Sequence, residues 1–354
     1  MEHSNWMIYG AYGFTGKLIV EEAVRRGHSP ILAGRSAEKL APIAERFGLR
    51  SIAVDLEDAT QLRSAVADLD LVLHAAGPFV HTSTRMIKAC IAGGTDYLDI
   101  SGEVSVFEST FARHREAVAA GVALISGVGF DVVPTDCLAA ELAKRMPEAV
   151  ELELGIDALT TPSAGTLRSS IESAHLGGMV RRNGMLLPVR FGRGAIVERF
   201  PLGERTLLPL PLGDLVTAYR STGIPNIDTY LAVPPMLATT MGVIGPAMIS
   251  LMKLPAARGI ARMVVGMSAS GPDEATRASE HAYIFGRVKD ESGATLTMIL
   301  RTAEAYRFTA MSAVLAVERT LSSNLQGSYS PAMAFGPGFV MEIDGSAIVT
   351  EKHA

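Results

Sequence analysis

One short turn constrains this chain more than any other stretch: Gly10-Ala11-Tyr12-Gly13-Phe14-Thr15-Gly16. It follows residues 5–9, which read as a strand, and opens residues 14–26, which read as a helix. Glycines at this spacing between a strand and a helix each have a use. Gly10 lets the chain turn sharply, Gly13 removes a Cβ so that backbone N–H groups reach a pyrophosphate, and Gly16 lets the helix lie close to the sheet. The phosphates then sit at the positive end of the helix that starts near Phe14, where Thr15 adds a hydroxyl.

A glycine triplet alone is a weak signal, so its surroundings decide. Further strands are read at 30–33, 51–54, 69–75, 97–100 and 122–126, with helices at 37–47, 59–67, 82–92 and 104–120 between them. This alternation predicts an α/β fold, a Rossmann doubly wound parallel sheet over residues 1–133. Beyond it, alternating strands at 151–158, 186–200 and 282–301 predict an inserted α+β second domain, 134–303, for substrate and dimer contacts. A helix at 304–321 and a Gly/Ser/Pro-rich stretch at 327–338 lead the segment 304–354 back to the first domain.

The end of the second strand speaks to the nucleotide. A site for an unphosphorylated ribose carries Asp or Glu there. Here the residues are Ala33-Gly34-Arg35-Ser36, and the guanidinium of Arg35 with the hydroxyl of Ser36 suits a 2′-phosphate, hence NADP(H). Asp55, after the third strand, is either a partner for the adenine amino group or a solvated acid. Ala76-Gly77-Pro78 closes the fourth strand with small residues that let the nicotinamide ribose pass, unless it is an ordinary turn.

Candidates for the chemistry stand at the carboxyl ends of the later strands, where open α/β sheets bind ligands. They are Asp99, Glu103 and Asp131, three carboxylates expected in one cleft, where crowding would raise one of them into a proton-transfer range. The alternative for Asp131 is a helix cap, and for Glu103 a pairing with a nearby helix start. Gly165, Thr166, Arg168 and Ser169 read as a turn near the substrate, or as a plain loop. His74 and His81 rank below the carboxylates. None of the eight tyrosines has Lys four residues on, which disfavours the Tyr-x-x-x-Lys machinery of short-chain dehydrogenases.

Composition excludes other classes. The chain is 48% hydrophobic and 19% charged with a net charge of −5, which disfavours nucleic acid as a partner. Cys90 and Cys137 suit neither a disulfide framework nor a zinc site, so no metal is expected. The N-terminus lacks a basic segment followed by an apolar one, which favours a cytoplasmic protein. The uncharged stretch 229–252 is long enough to span a bilayer, but Pro234, Pro235, Gly242, Gly245 and Pro246 should break a continuous helix there. A buried or membrane-surface helical hairpin, peripheral to a membrane, or an apolar lid is the expectation.

The motifs GAYGFTG, AGRS, HAAGPF, YLDISGE, GVGFDVVPTD and SAGT, in this order, resemble the saccharopine-dehydrogenase-like oxidoreductases, a group that includes trans-acting enoyl reductases. The ending GSYSPAMAFGPGF resembles the same group, while residues 180–300 carry none of its motifs. The resemblance implies NADP(H) and hydride transfer. It gives Gly10, Gly13, Thr15, Gly16, Arg35 and Ser36 a cofactor role, and Gly77 and Pro78 a place near the nicotinamide. The function expected is an NADPH-dependent reductase of an apolar enoyl, imine or carbonyl substrate, the sixteen methionines suiting an adaptable apolar pocket. The alternatives are an NADP(H)-binding redox sensor and a membrane-surface scaffold without turnover.

Overall fold

The residues WMIY of strand β1 (Trp6–Tyr9) are all buried, as a strand covered on both faces requires. Their side chains alternate: Trp6 and Ile8 enter one core, Met7 and Tyr9 the other. The computed structural model describes residues 5–158, 161–192, 194–254, 256–261 and 271–354.

Six more strands join β1: β2 (Ile31–Gly34), β3 (Ser51–Ala53), β4 (Leu71–His74), β5 (Asp96–Asp99), β6 (Ala123–Ile125) and, from the far end of the chain, a strand at Gly327–Tyr329. All pairs are parallel, and the order runs from Gly327–Tyr329 through β6, β5, β4, β1 and β2 to β3. The connecting helices are α1 (Phe14–Arg25), α2 (Ala37–Phe47), α3 (Ala59–Val66), α4 (Phe79–Gly93), α5 (Val104–Ala112) and α6 (His114–Ala120). The single helix expected at 104–120 is two, divided at Arg113. The strand order reverses between β1 and β4, and such a switch point opens a crevice at the carboxyl ends of the strands.

After α7 (Val133–Arg145) the chain builds a second sheet. Its strands are β7 (Glu151–Asp157), β8 (Gly178–Arg182), β9 (Met185–Val189), β10 (Ile196–Phe200), β11 (Gly203–Pro209), β12 (Asn226–Val233), β13 (His281–Lys289) and β14 (Thr295–Ala303). Among the described residues only β7 and β12 run parallel; the other pairs are antiparallel. Leu152, Leu154, Ile284 and Val288 meet Leu138 and Leu142 of α7 in one core. The helices α8 (Ala164–Ser173), α9 (Asp214–Thr222) and α10 (Pro235–Met252) belong to this part.

Three sequence expectations change here. The expected strand 186–200 is two strands that do not pair with each other. The uncharged stretch 229–252 is no hairpin: its first residues complete β12, and the rest is one helix. Pro235 stands in the first turn, where the missing N–H costs nothing, and Pro246 is carried inside the helix. The segment 304–354 divides between the sheets. Helix Ala305–Leu321 packs on α1 and Gly327–Tyr329 pairs with β6, while the last strand, Ala347–His353, pairs with β14.

Candidate active site

The glycine turn lies at the switch point. Gly10 takes φ 96°, and a Cβ there would stand 2.8 Å from the backbone of Ala75 and Ala76, at the end of β4. The Gly10 carbonyl accepts the Gly13 N–H at 2.9 Å, and a Cβ on Gly16 would approach that oxygen to 2.2 Å. Two of the three glycines are therefore fixed by close approach. Gly13 precedes α1, whose first turn has no side-chain cap and no acidic residue. Its N–H groups and positive end face the crevice uncompensated.

The neighbouring aromatic residues take separate positions. Tyr12 packs on Gly34, where a Cβ would come within 2.6 Å of its ring. Phe14 turns towards the second domain and meets Tyr306 edge to face at 5.0 Å. Arg35 is exposed and makes no hydrogen bond or ion pair with the described residues. Ser36 caps α2, its hydroxyl accepting from the Lys39 N–H at 3.3 Å. Asp55 is exposed, and one carboxylate oxygen accepts from the Glu57 N–H at 3.0 Å.

The three carboxylates have three environments. Asp99 is fully buried. It accepts from the Tyr97 hydroxyl (2.9 Å), the Ser126 hydroxyl (2.8 Å) and the N–H groups of Ser101 (2.9 Å) and Gly127 (3.0 Å). Burial raises its carboxyl above the usual range, and these four donors offset only part of the rise. Glu103 is also buried, and it accepts from the first two N–H groups of α4, Phe79 at 2.9 Å and Val80 at 2.8 Å. It thereby sits on the positive end of that helix. Its Oε1 also accepts from the Ser169 hydroxyl at 2.8 Å.

Asp131 differs from both. It caps no helix, because α7 starts at Val133 with Val132 as its cap residue. Its carboxylate is exposed to the cleft and makes no hydrogen bond or ion pair with the described residues. A Cβ on Gly102 would lie 2.9 Å from its Oδ2. Although the side chain is open to water, protein surrounds it closely enough that desolvation pushes it up to about 6, with the Glu103 charge adding to the rise.

Residues 6–125 match the family model of the saccharopine dehydrogenase NADP binding domain. A saccharopine dehydrogenase-like oxidoreductase of Bos taurus is 33% identical over 150 residues, 37% of this chain and 35% of that one. A trans-acting enoyl reductase of Mycobacterium leprae (strain TN) is 33% identical over 150 residues, 40% of this chain and 36% of the other. The alignment thus spans about a third of the curated relatives' length. Among solved structures, apo histidine-tagged saccharopine dehydrogenase (L-Glu forming) from Saccharomyces cerevisiae matches with a TM-score of 0.69. It covers 99% of this chain and 100% of that chain at 13% identity, a likeness of fold.

The cofactor of a saccharopine dehydrogenase NADP-binding domain is NADP(H). The site fits it: an uncapped helix start with glycine backbone receives a pyrophosphate, and the unpaired Arg35 stands at the end of β2. Ala76, Gly77 and Pro78 close the crevice on the β4 side. A Cβ on Gly77 would lie 3.4 Å from the Ser169 hydroxyl, so this turn faces α8.

Gly165, Thr166, Arg168 and Ser169 are therefore in a helix rather than a turn. Ser163, its cap residue, and Thr166 are tied to Tyr306, whose hydroxyl accepts from the Ser163 N–H at 2.7 Å and lies 3.0 Å from the Thr166 hydroxyl. His74 is a core group of this NADP-binding domain. It stacks on Tyr9 at 5.4 Å, and burial lowers it to about 3, so it stays neutral. His81 pairs with Glu172 at 3.4 Å. Sequence reasoning missed Tyr306 and Asp214, because neither lies in a motif. Asp214 is buried at the start of α9 beside Thr135, and burial drives its carboxyl well above the usual range.

Proposed function

We propose that this chain is an NADPH-dependent reductase of an apolar substrate carrying a polarised double bond, enoyl, imine or carbonyl, with Asp131 as proton donor. The observation that carries this is the environment of Asp131. It is the carboxylate of the three that points into the cleft without a protein partner, and it is raised towards the range in which a carboxyl can deliver a proton. The printed names of the mycobacterial relatives, enoyl reductases, favour the C=C form of the reaction.

In this proposal Gly10, Gly13, Gly16 and Thr15 hold the pyrophosphate, and Tyr12 and Phe14 shape the turn around it. Arg35 and Ser36 take the 2′-phosphate, Asp55 borders the adenine, and Ala76, Gly77 and Pro78 border the nicotinamide ribose. NADPH, when bound, supplies a hydride to one atom of the double bond. Asp131 gives its proton to the other atom, becomes a carboxylate, and is reprotonated from cleft water. Asp99 is a positioning residue that pins the ends of β5 and β6, and Glu103 joins the start of α4 to α8 through Ser169.

The test is NADPH consumption with product analysis over a panel of apolar enoyl thioesters, cyclic imines and ketones. One class should be reduced, with NADPH preferred to NADH. Tight NADPH binding with no turnover on any class would instead support the sensor alternative.

A further inference from the structure

Helix α10 has two apolar sides, of which one is used. The inner side packs on the body of the second domain. Ala238 and Gly245 are buried there. A Cβ on Gly245 would lie 2.7 Å from the Phe191 ring, and Ile249 lies near Gly177. The outer side carries Met236 (82% exposed), Leu237, Val243 (74%), Ile244, Met248 and Leu251, followed by Leu254. At about 3.6 residues per turn these fall within one arc of roughly 140°. An exposed apolar stripe of this kind marks an interaction surface.

Charge indicates what it meets. From residue 229 to residue 272 the sequence holds no acid and three bases: Lys253, Arg258 and Arg262, the last outside the described residues. The whole chain carries a net charge of −5, so this segment is a local reversal. Lys253 is exposed just past the helix end, and an Arg258 Nη1 donates to the Met252 carbonyl at 3.3 Å. Lys253 and Arg258 thus lie at one end of the stripe. A second copy seated on the same stripe would find no acid within the segment to pair with them.

We infer that α10 docks this protein on an anionic lipid surface, with the stripe in the headgroup layer and the bases against lipid phosphates. The helix lies along the surface and does not cross it, since its inner side is committed to protein. Helix α10 also packs on residues 174–176, which continue α8, the helix whose Ser169 touches Glu103. Docking would therefore bring the cleft near the lipid.

Co-sedimentation of the full chain with vesicles tests this. Phosphatidylglycerol-containing vesicles should bind at least about ten-fold more tightly than pure phosphatidylcholine, with binding weakened by salt. The double change Val243→Asp with Ile244→Asp should abolish binding, and Lys253→Glu with Arg258→Glu should remove the preference for the anionic lipid. Unchanged melting and NADPH binding would show that these variants fold. The inference is overturned if the unaltered protein ignores phosphatidylglycerol vesicles or if the Asp variant still binds them. It is also overturned if sedimentation shows a dimer that the Asp variant converts to monomer, which would make a second copy the occupant.

Discussion

Asp99 ends β5 and Asp131 lies in the loop after the neighbouring β6, and their surroundings treat them oppositely. Asp99 is enclosed, and four donors from β5 and the loops after β5 and β6 occupy its oxygens. Asp131 faces the cleft with no partner among the described residues. Enclosed carboxylates of the first kind hold strand ends in place. Open ones of the second kind keep lone pairs and a proton available for something that is not protein. The difference lies in the donors around each carboxyl, which is a property of tertiary contacts.

Substitutions can break this contrast. Asp131→Asn should lower the reductive rate by about 10²- to 10⁴-fold, the worth of a positioned proton donor. It should leave the melting temperature nearly unchanged, as expected for a side chain with no partner to lose. In the unaltered protein, kcat/KM for reduction should be highest below about pH 6. It should fall as pH rises through that value, because the raised carboxyl of Asp131 then loses the proton it must donate. A flat profile would remove Asp131 from the chemistry. Asp99→Ala should do the reverse. It removes the acceptor of four buried donors, of which the Ser126 hydroxyl still has the Thr110 hydroxyl beside it, and at about 1–3 kcal/mol for each of the other three it should cost at least about 3 kcal/mol by chemical denaturation.

Two smaller effects sharpen the picture. Arg35→Ala should raise the NADPH dissociation constant by roughly ten- to a hundred-fold, as loss of charge-assisted hydrogen bonds implies, while NADH binding barely moves. Equal losses for the two nucleotides would detach Arg35 from the 2′-phosphate. Ser169→Ala removes one hydroxyl from Glu103, so its expected cost is about 1 kcal/mol in stability, with a modest rise in the substrate KM.

The parallel sheet was legible in the sequence for a physical reason. Its central strands β1 and β4 are covered on both faces, so WMIY and the LVL of β4 read as unbroken apolar runs, and the Gly10–Gly16 turn marks the first strand end. The second sheet was less legible. Strand β12 is a central strand that runs through Pro234 straight into α10, so strand and helix merged into one uncharged segment. Strand β11, GERTLLP, has no clean alternation and was missed. At the site, the three carboxylates were visible at the strand ends, but their partners were not. Glu103 meets residues 23, 24 and 66 positions away, and no local pattern announces such contacts. Ser36 is different, because its partner is local: the hydroxyl accepts from the Lys39 N–H as a helix cap and keeps its own proton to donate.

The strand at Gly327–Tyr329 has a consequence for how this molecule is made. It pairs with β6 and completes the first sheet, although some two hundred residues separate them in the chain. During synthesis the ribosome delivers β1 to β6 first and their neighbour only after the whole second sheet but its last strand. Until then β6 is an open edge, and the side of the sheet that Phe308, Ala313 and Val317 later cover stays uncovered. The nascent first domain therefore waits for a strand some two hundred residues further on to close it.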